Sequence, residues 1–459
     1  MANQWRRLGL IVGLALLAGC AQNEPYHTLD GAPDNCVSAP ADNNCTASYY
    51  QDHGEFDLAF AEFSDRGNAF NDKFITDVLT RIERHAEGEA AGAVVITFVH
   101  GWKHNANETD SNLVDFKASL KQVAASGALR GRRLIGLYVG WRGASIDLPW
   151  VKNVSFWERK AVAEEVGKGS VTRLFLELDR IDGKDDKNVF VVIGHSFGGA
   201  IVVSALTEIL TARVVQRTRG RHYANSLGDA VIVLNPAIEA NQALDLVEAS
   251  LKEDFPSDQH PLFVSISTDA DSATHQAFPL GQTLGLLLTW QQKDLERSYL
   301  FDRLKPSDSQ VLKEEHLDAT TVGNFAPFLT HRLSISGSSD AQIAFEYSRC
   351  EDVPAQCTPK GLTSLSGQPA IKEFPENYPL FFIKTDERVM SGHNDIFNQK
   401  IKAFMLALIN DVVRRDLSPQ PSAAQGGLAR ESSILKNPAK LLEETERLYR
   451  QSTPPASTE

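Results

Sequence analysis

The stretch Gly194-His195-Ser196-Phe197-Gly198 is where the residue types and spacing of this chain most clearly could do chemistry. It matches G-x-S-x-G, follows the apolar run "VFVVI" and precedes the second apolar run "GGAIVVSAL". That placement suits a strand that bends sharply into a helix and presents a serine at the bend. Glycines on either side let strand and helix pass closely. The free N–H groups of the helix N-terminus then point toward any oxyanion that forms there. Ser196 is therefore expected to be a nucleophile, in preference to a polar residue in an ordinary glycine turn. A nucleophilic serine needs a base, an acid to orient that base, and donors for the oxyanion.

A second apolar run, "VVITFVHGWKHNAN", ends in His100-Gly101-Trp102. With the serine turn, this "FVHGW" stretch resembles the α/β-hydrolase superfamily, and more loosely bacterial esterase-like proteins. The resemblance spans about residues 55–415. It implies a carboxylic-ester or thioester hydrolase working through an acyl-enzyme, without metal or organic cofactor. By the same resemblance the oxyanion donors are the backbone N–H groups of Trp102 and Phe197, and His100 is structural, holding its loop. The family order is serine, acid, histidine. Asp271 and Asp269, both just after "PLFVSIST", are the candidate acids. Family spacing favours Asp271 and leaves Asp269 as a turn residue. The expected base is His393, in a Gly-His-Asn turn after "PLFFIKT". His275, His316 and His331 follow no comparable strand and read as surface or packing residues. Asn394 and Asp395 are candidates to anchor the His393 loop. Trp141 and Arg142, in "YVGWRGAS", lie where substrate-lining loops emerge, and Arg142 either binds an anionic group or pairs with a local acid. Two other readings stay open: an acyltransferase on envelope lipid or polymer, and a non-catalytic envelope lipoprotein that uses the fold as a scaffold.

These residues need elements to position them. Apolar runs without polar alternation occur at "FDLAFAEF", "AVVITFVH", "LIGLYVGW", "VFVVIGHS", "AVIVLNPA", "PLFVSIST" and "PLFFIKT". Helical spacing falls between several of them. Leu113, Phe116, Leu120 and Val123 share one face, and Ser155 and Glu158 stand at capping-box spacing before another helix. Strands buried on both faces and separated by helices predict an α/β fold: a mostly parallel central sheet with helices on both faces. A long excursion, 271–377, precedes the last strand and is read as a lid or a packed subdomain.

The ends and the composition bound the setting. The chain has 459 residues, 42% hydrophobic and 23% charged, with no stretch read as long enough to span a bilayer. A net charge of −13 disfavours nucleic acid as a partner. Residues 1–19 carry Arg6 and Arg7, a short apolar run and small residues, the pattern of a secretory signal. "LAGC" resembles the lipobox of bacterial lipoproteins, which implies lipid attachment at Cys20. Ala21 after it resembles outer-membrane sorting, so the expected location is the cell envelope. Residues 20–54 read as a tether, 55–415 as the hydrolase domain, and 416–459 as a low-complexity linker with a short helix and tail. Cys36, Cys45, Cys350 and Cys357 fall in two local pairs, which an oxidising compartment would favour as disulfides. Acyl and alcohol specificity and oligomeric state are not legible.

Overall fold

A computed structural model of the chain describes residues 23–28, 47–88, 92–143, 156–216, 224–256, 259–279, 294–297, 310–337, 343–358, 374–415 and 437–452. The strands are β1 (Tyr50–Asp52), β2 (Asp57–Glu62), β3 (Ala93–Val99), β4 (Arg133–Gly140), β5 (Val189–His195), β6 (Ala230–Leu234), β7 (Phe263–Thr268), β8 (Asp294–Arg297), β9 (Gln310–Lys313), β10 (His331–Ser336), β11 (Ala344–Arg349) and β12 (Leu380–Thr385). The helices are α1 (Asp72–Gly88), α2 (Ser111–Ala125), α3 (Phe156–Lys168), α4 (Ser170–Asp182), α5 (Phe197–Gln216), α6 (Leu244–Leu251), α7 (Glu314–Ala319), α8 (Gln399–Arg415) and α9 (Pro438–Ser452). Cys20, Cys36, Cys45, residues 1–19, Ser155 and the low-complexity stretch near Ser418 lie outside the described residues.

The main sheet runs β1-β2-β4-β3-β5-β6-β7-β12-β10-β11. Pairing is parallel from β2 through to β10, and antiparallel only at the two edges, β1 on β2 and β11 on β10. All seven apolar runs are strands of this sheet. Each buries both faces because successive side chains alternate sides. On β3, Val95 and Val99 join the core beneath α1, α3, α4, α5 and α6, while Val94, Ile96 and Phe98 join the core beneath α2 and α8. The result is the expected three-layer α/β fold. Because the strands run parallel, the loops after β3, β5, β6, β7 and β12 all leave at one carboxyl edge, where ligands of such sheets are bound.

Several elements depart from the sequence reading. The helical stretch after Ser155 is two helices, α3 and α4, divided at Gly169. There a Cβ would lie 2.6 Å from the Gly67 carbonyl oxygen, so only glycine fits the close approach. Helix α5 is long and apolar enough to cross a bilayer by length and composition, contrary to expectation. It is instead packed between the sheet, α3 and α6. The described parts of 271–377 are built into the body. β10 and β11 extend the sheet, and Val322 and Ala240 trade backbone hydrogen bonds with Ile238 and Thr320. Cys350 and Cys357 form a disulfide at the end of β11. Parts of both ends also pack on the body: Tyr26 and His27 donate backbone N–H groups to Glu62, and α9 buries Leu441 and Leu448 beside α8 and β11.

Candidate active site

Ser196 follows the central strand β5 directly and α5 starts at the next residue. Its φ is 55°, a left-handed conformation that is costly for a residue with a Cβ. The turn is held from three sides. Ser196 N–H donates to Leu234 O (3.0 Å), while Ser196 O accepts from Ala237 N–H and Ala200 N–H (both 3.1 Å). Gly198 is required by space: a Cβ there would lie 2.0 Å from Val99 O. A strained serine braced in this way is locally unfavourable, and such strain concentrates at functional sites.

The loops after β7 and β12 bring a carboxylate and an imidazole to this serine. His393 Nε2 lies 2.7 Å from Ser196 Oγ, and His393 Nδ1 lies 2.7 Å from Asp271 Oδ2. Asp271 is fully buried, whereas the His393 side chain keeps 19% exposure. Asp271 Oδ1 accepts from the N–H groups of Ala273 (2.9 Å) and Thr274 (3.1 Å), and its Oδ2 accepts from Thr274 Oγ1 (2.7 Å). Burial pushes this carboxyl up, but the charge of His393 and the hydrogen bonds from His393 and Thr274 outweigh it and hold it at about 2, below the usual 3.8. An ionised carboxylate on Nδ1 fixes the imidazole with Nε2 facing the serine hydroxyl, ready to accept its proton. Of the two candidate acids, Asp271 is the one in contact with His393. Asp269 lies in the turn after β7, where Arg332 Nη1 binds its Oδ2 at 2.7 Å. His331 is a packing residue, stacked on Tyr347 and Phe381. Asp395 anchors the histidine loop by accepting from Ser391 N–H (2.8 Å) and Oγ (2.7 Å).

The His-Gly turn after β3 abuts the serine. A Cβ on Gly101 would lie 2.9 Å from Ser196 Cβ, so the backbone leading to Trp102 runs beside the nucleophile. The Trp102 and Phe197 rings are in contact, with centroids 6.4 Å apart. Buried His100 braces the turn: its Nδ1 donates to Gly101 O (3.0 Å) and its Nε2 accepts from Trp141 N–H (3.2 Å). Burial lowers its pKa to about 4, so it stays neutral. Trp141 is itself buried, and its Nε1–H donates to His100 O at 2.9 Å. Its ring stacks on His100 with centroids 5.6 Å apart, which supports the turn. Arg142 is paired with Asp65, which also accepts from Arg159 Nη1 at 2.9 Å. Its guanidinium is thus engaged by a local acid, the plainer of the two readings offered by the sequence.

Two supporting residues were not singled out by sequence. His195 Nε2 and Asn235 Nδ2 converge on His393 O, each at 2.9 Å. Burial and the charge of His393 lower the His195 pKa to about 3, so a neutral ring donates one N–H to that carbonyl. Asn235 also accepts Thr268 N–H on Oδ1 (3.0 Å), joining the histidine loop to the end of the acid-bearing strand. The signal was an asparagine directly after β6, at φ 43°, where Asn is among the few side chains tolerated.

No protein-family model and no curated protein match the chain. Among solved structures it is similar to phospholipase PlaB from Legionella pneumophila. The likeness to its complex with thio-NAD is 14% identity and TM-score 0.24, covering 56% of this chain and 49% of that one. A second structure of the same protein gives 13% identity and TM-score 0.27, over 78% and 64%. The chain thus spans about half to two-thirds of the length of these structures.

Proposed function

We propose that the chain is a serine hydrolase that cleaves a carboxylic ester or thioester. The observation that carries this reading is the hydrogen-bonded row Ser196–His393–Asp271 at the carboxyl edge of the sheet, with the serine held at positive φ. Ser196 Oγ attacks the acyl carbonyl while His393 Nε2 takes its proton. His393 then returns that proton to the departing alcohol or thiol, leaving an acyl-enzyme. Water, deprotonated by His393, attacks the acyl carbonyl and regenerates the serine. Asp271 fixes the imidazole tautomer and stabilises its cation. The backbone N–H groups of Trp102 and Phe197 hold the tetrahedral oxyanion. The second belongs to the first residue of α5, where the helix dipole adds to it.

From the lipobox resemblance we also propose that Cys20 is a lipid attachment point and that the enzyme works in the bacterial envelope, where a lipid ester is the favoured substrate class. The test is turnover on a chain-length series of esters. Ser196→Ala should lower kcat by roughly 10⁴-fold or more with the unfolding midpoint unchanged. Near-normal turnover in that variant would refute the reading. Adding competing alcohols to the same assay distinguishes hydrolysis from acyl transfer by the products formed.

A further inference from the structure

Behind Asp271 lies a buried polar chain that the hydrolytic mechanism does not use. Lys384, near the end of β12, has a side chain only 1% exposed. An ordinary explanation would be neutralisation of Asp269. Lys384 Nζ does form an ion pair with Asp269 Oδ1 at 3.6 Å, beside the 2.7 Å contact of Asp269 with Arg332, but this pair does not account for its shorter contacts. Those run elsewhere. Nζ donates to Asn324 Oδ1 and to His275 Nε2 (2.8 Å). Asn324 Nδ2 donates to Thr274 Oγ1 (2.9 Å), and Thr274 Oγ1 donates to Asp271 Oδ2 (2.7 Å). The chain therefore ends on the same carboxylate oxygen that holds His393 Nδ1. Asn324 and Thr274 are each 1% exposed, so water does not compete for these bonds.

We propose that Lys384 and Asn324 are positioning residues for the acid: through Thr274 they fix the Asp271 carboxylate under His393 and oppose protonation of the imidazole. This rests on the hydrolase reading for its catalytic consequence, though not for its geometry. The direction of donation is set at one end. An ammonium only donates, so Asn324 presents its oxygen to Lys384 and its NH₂ to Thr274, leaving the threonine hydroxyl to donate onward to the carboxylate. Charge gives the second effect. The groups around Lys384 are Asp269, Asp271 and Arg332, with His275 beside it. Burial and the positive charge of Lys384 outweigh the pull of Asp271 and Asp269 and hold the His275 pKa at about 4, so this ring stays neutral. With Lys384 protonated, two buried anions face two buried cations, so an imidazolium at His393 adds an unbalanced charge. Removing the Lys384 charge leaves the two carboxylates in excess, and His393 becomes easier to protonate. Burial also depresses the Lys384 pKa to about 8, against the pull of Asp269 and Asp271, so its charge is present at neutral pH and declines above that value.

The experiment compares wild type, Lys384→Met and Asn324→Ala in the full chain. The His393 pKa is read by NMR of labelled imidazoles, assigned by the signal lost in His393→Ala, and kcat and KM are measured on one soluble ester. Lys384→Met should raise the His393 pKa by about half a unit to one unit, moving the acid limb of kcat/KM upward by the same amount. Asn324→Ala keeps the charges and breaks the chain. It should lower kcat about 10- to 100-fold with KM little changed and a smaller pKa shift. Folded variants with wild-type kcat and an unmoved His393 titration would overturn the proposal and leave the chain a structural device. If Lys384→Met does not fold, Asn324→Ala decides on kcat. Should wild type turn over no ester while the His393 titration responds as predicted, the hydrolase reading fails and the positioning role stands.

Discussion

Asp271 is the residue whose environment makes the sharpest demand. Its carboxyl is held at about 2 in the folded chain, below the usual 3.8, so its ionised form is favoured by folding. A depressed acid contributes stability that is present above its unfolded value and is lost as pH falls through the folded one. The window is therefore about pH 4 down to pH 2. Unfolding of wild type and Asp271→Asn should differ fully at pH 5 and converge toward pH 2, as denaturant titrations at both values would reveal. A constant difference would mean that the carboxylate charge does not matter to stability. Asn235→Ala should act on the other partner, since it strips one of two donors from His393 O and leaves Thr268 N–H without its acceptor. We expect kcat about 10²-fold lower, because a small misplacement of the base is enough, and stability lower by about 1–3 kcal/mol. Steady-state kinetics and unfolding of the same preparation check both. Sequence order and local context brought forward Ser196, Asp271 and His393, which the fold brings into contact, because each follows a strand that reads clearly. Asn235, Asn324 and Lys384 were not legible in this way. Their roles come from contacts across long sequence separations, as between Lys384 and Asn324, and no local pattern encodes those.

Among the elements, the legible ones were the strands buried on both faces. β3, β5 and β6 are mostly apolar runs with every residue buried, and that signal survives without neighbours. β10 and β11 read as irregular because each is only half buried. "HRLSIS" buries Leu333 and Ile335 but carries His331, Ser334 and Ser336 on more open positions. "AFEYSR" alternates in the same way at the sheet edge. Missing these two strands is what made 271–377 read as a long excursion before the last strand. The edge they form is stapled by the Cys350–Cys357 disulfide, whose sequence separation is 7. Closing so short a loop is worth about 2 kcal/mol by the chain-entropy relation. The double variant Cys350→Ser, Cys357→Ser should lose about that much in denaturant unfolding while keeping its turnover at 25 °C, since β11 lies at the sheet edge and Ser196 at the centre. A loss of activity equal to that of a catalytic variant would tie this edge to the site directly.

For the whole molecule, the described N-terminal segment packs on the body at the end of β2. His27 is buried against Phe60, between Glu62 and Glu108, and its pKa is raised: burial opposes the charged form, but both carboxylates outweigh it. Glu62 ends β2 at the carboxyl edge, the same edge that carries Ser196. Under the anchoring reading, the chain from Cys20 to His27 reaches at most about 25 Å. The site edge is then held near the lipid and not at the end of a long tether. Cys20→Ser should leave turnover of a soluble ester unchanged and lower turnover of an ester presented in vesicles. Equal rates on vesicles would argue against anchored presentation. The most direct test of the central claim is covalent: the purified chain is treated with a fluorophosphonate, and the label is located by mass spectrometry with Ser196→Ala as control. The account predicts a single stoichiometric label on Ser196 that the variant lacks. A folded chain that stays unlabelled, or is labelled elsewhere to the same extent in both proteins, would contradict it.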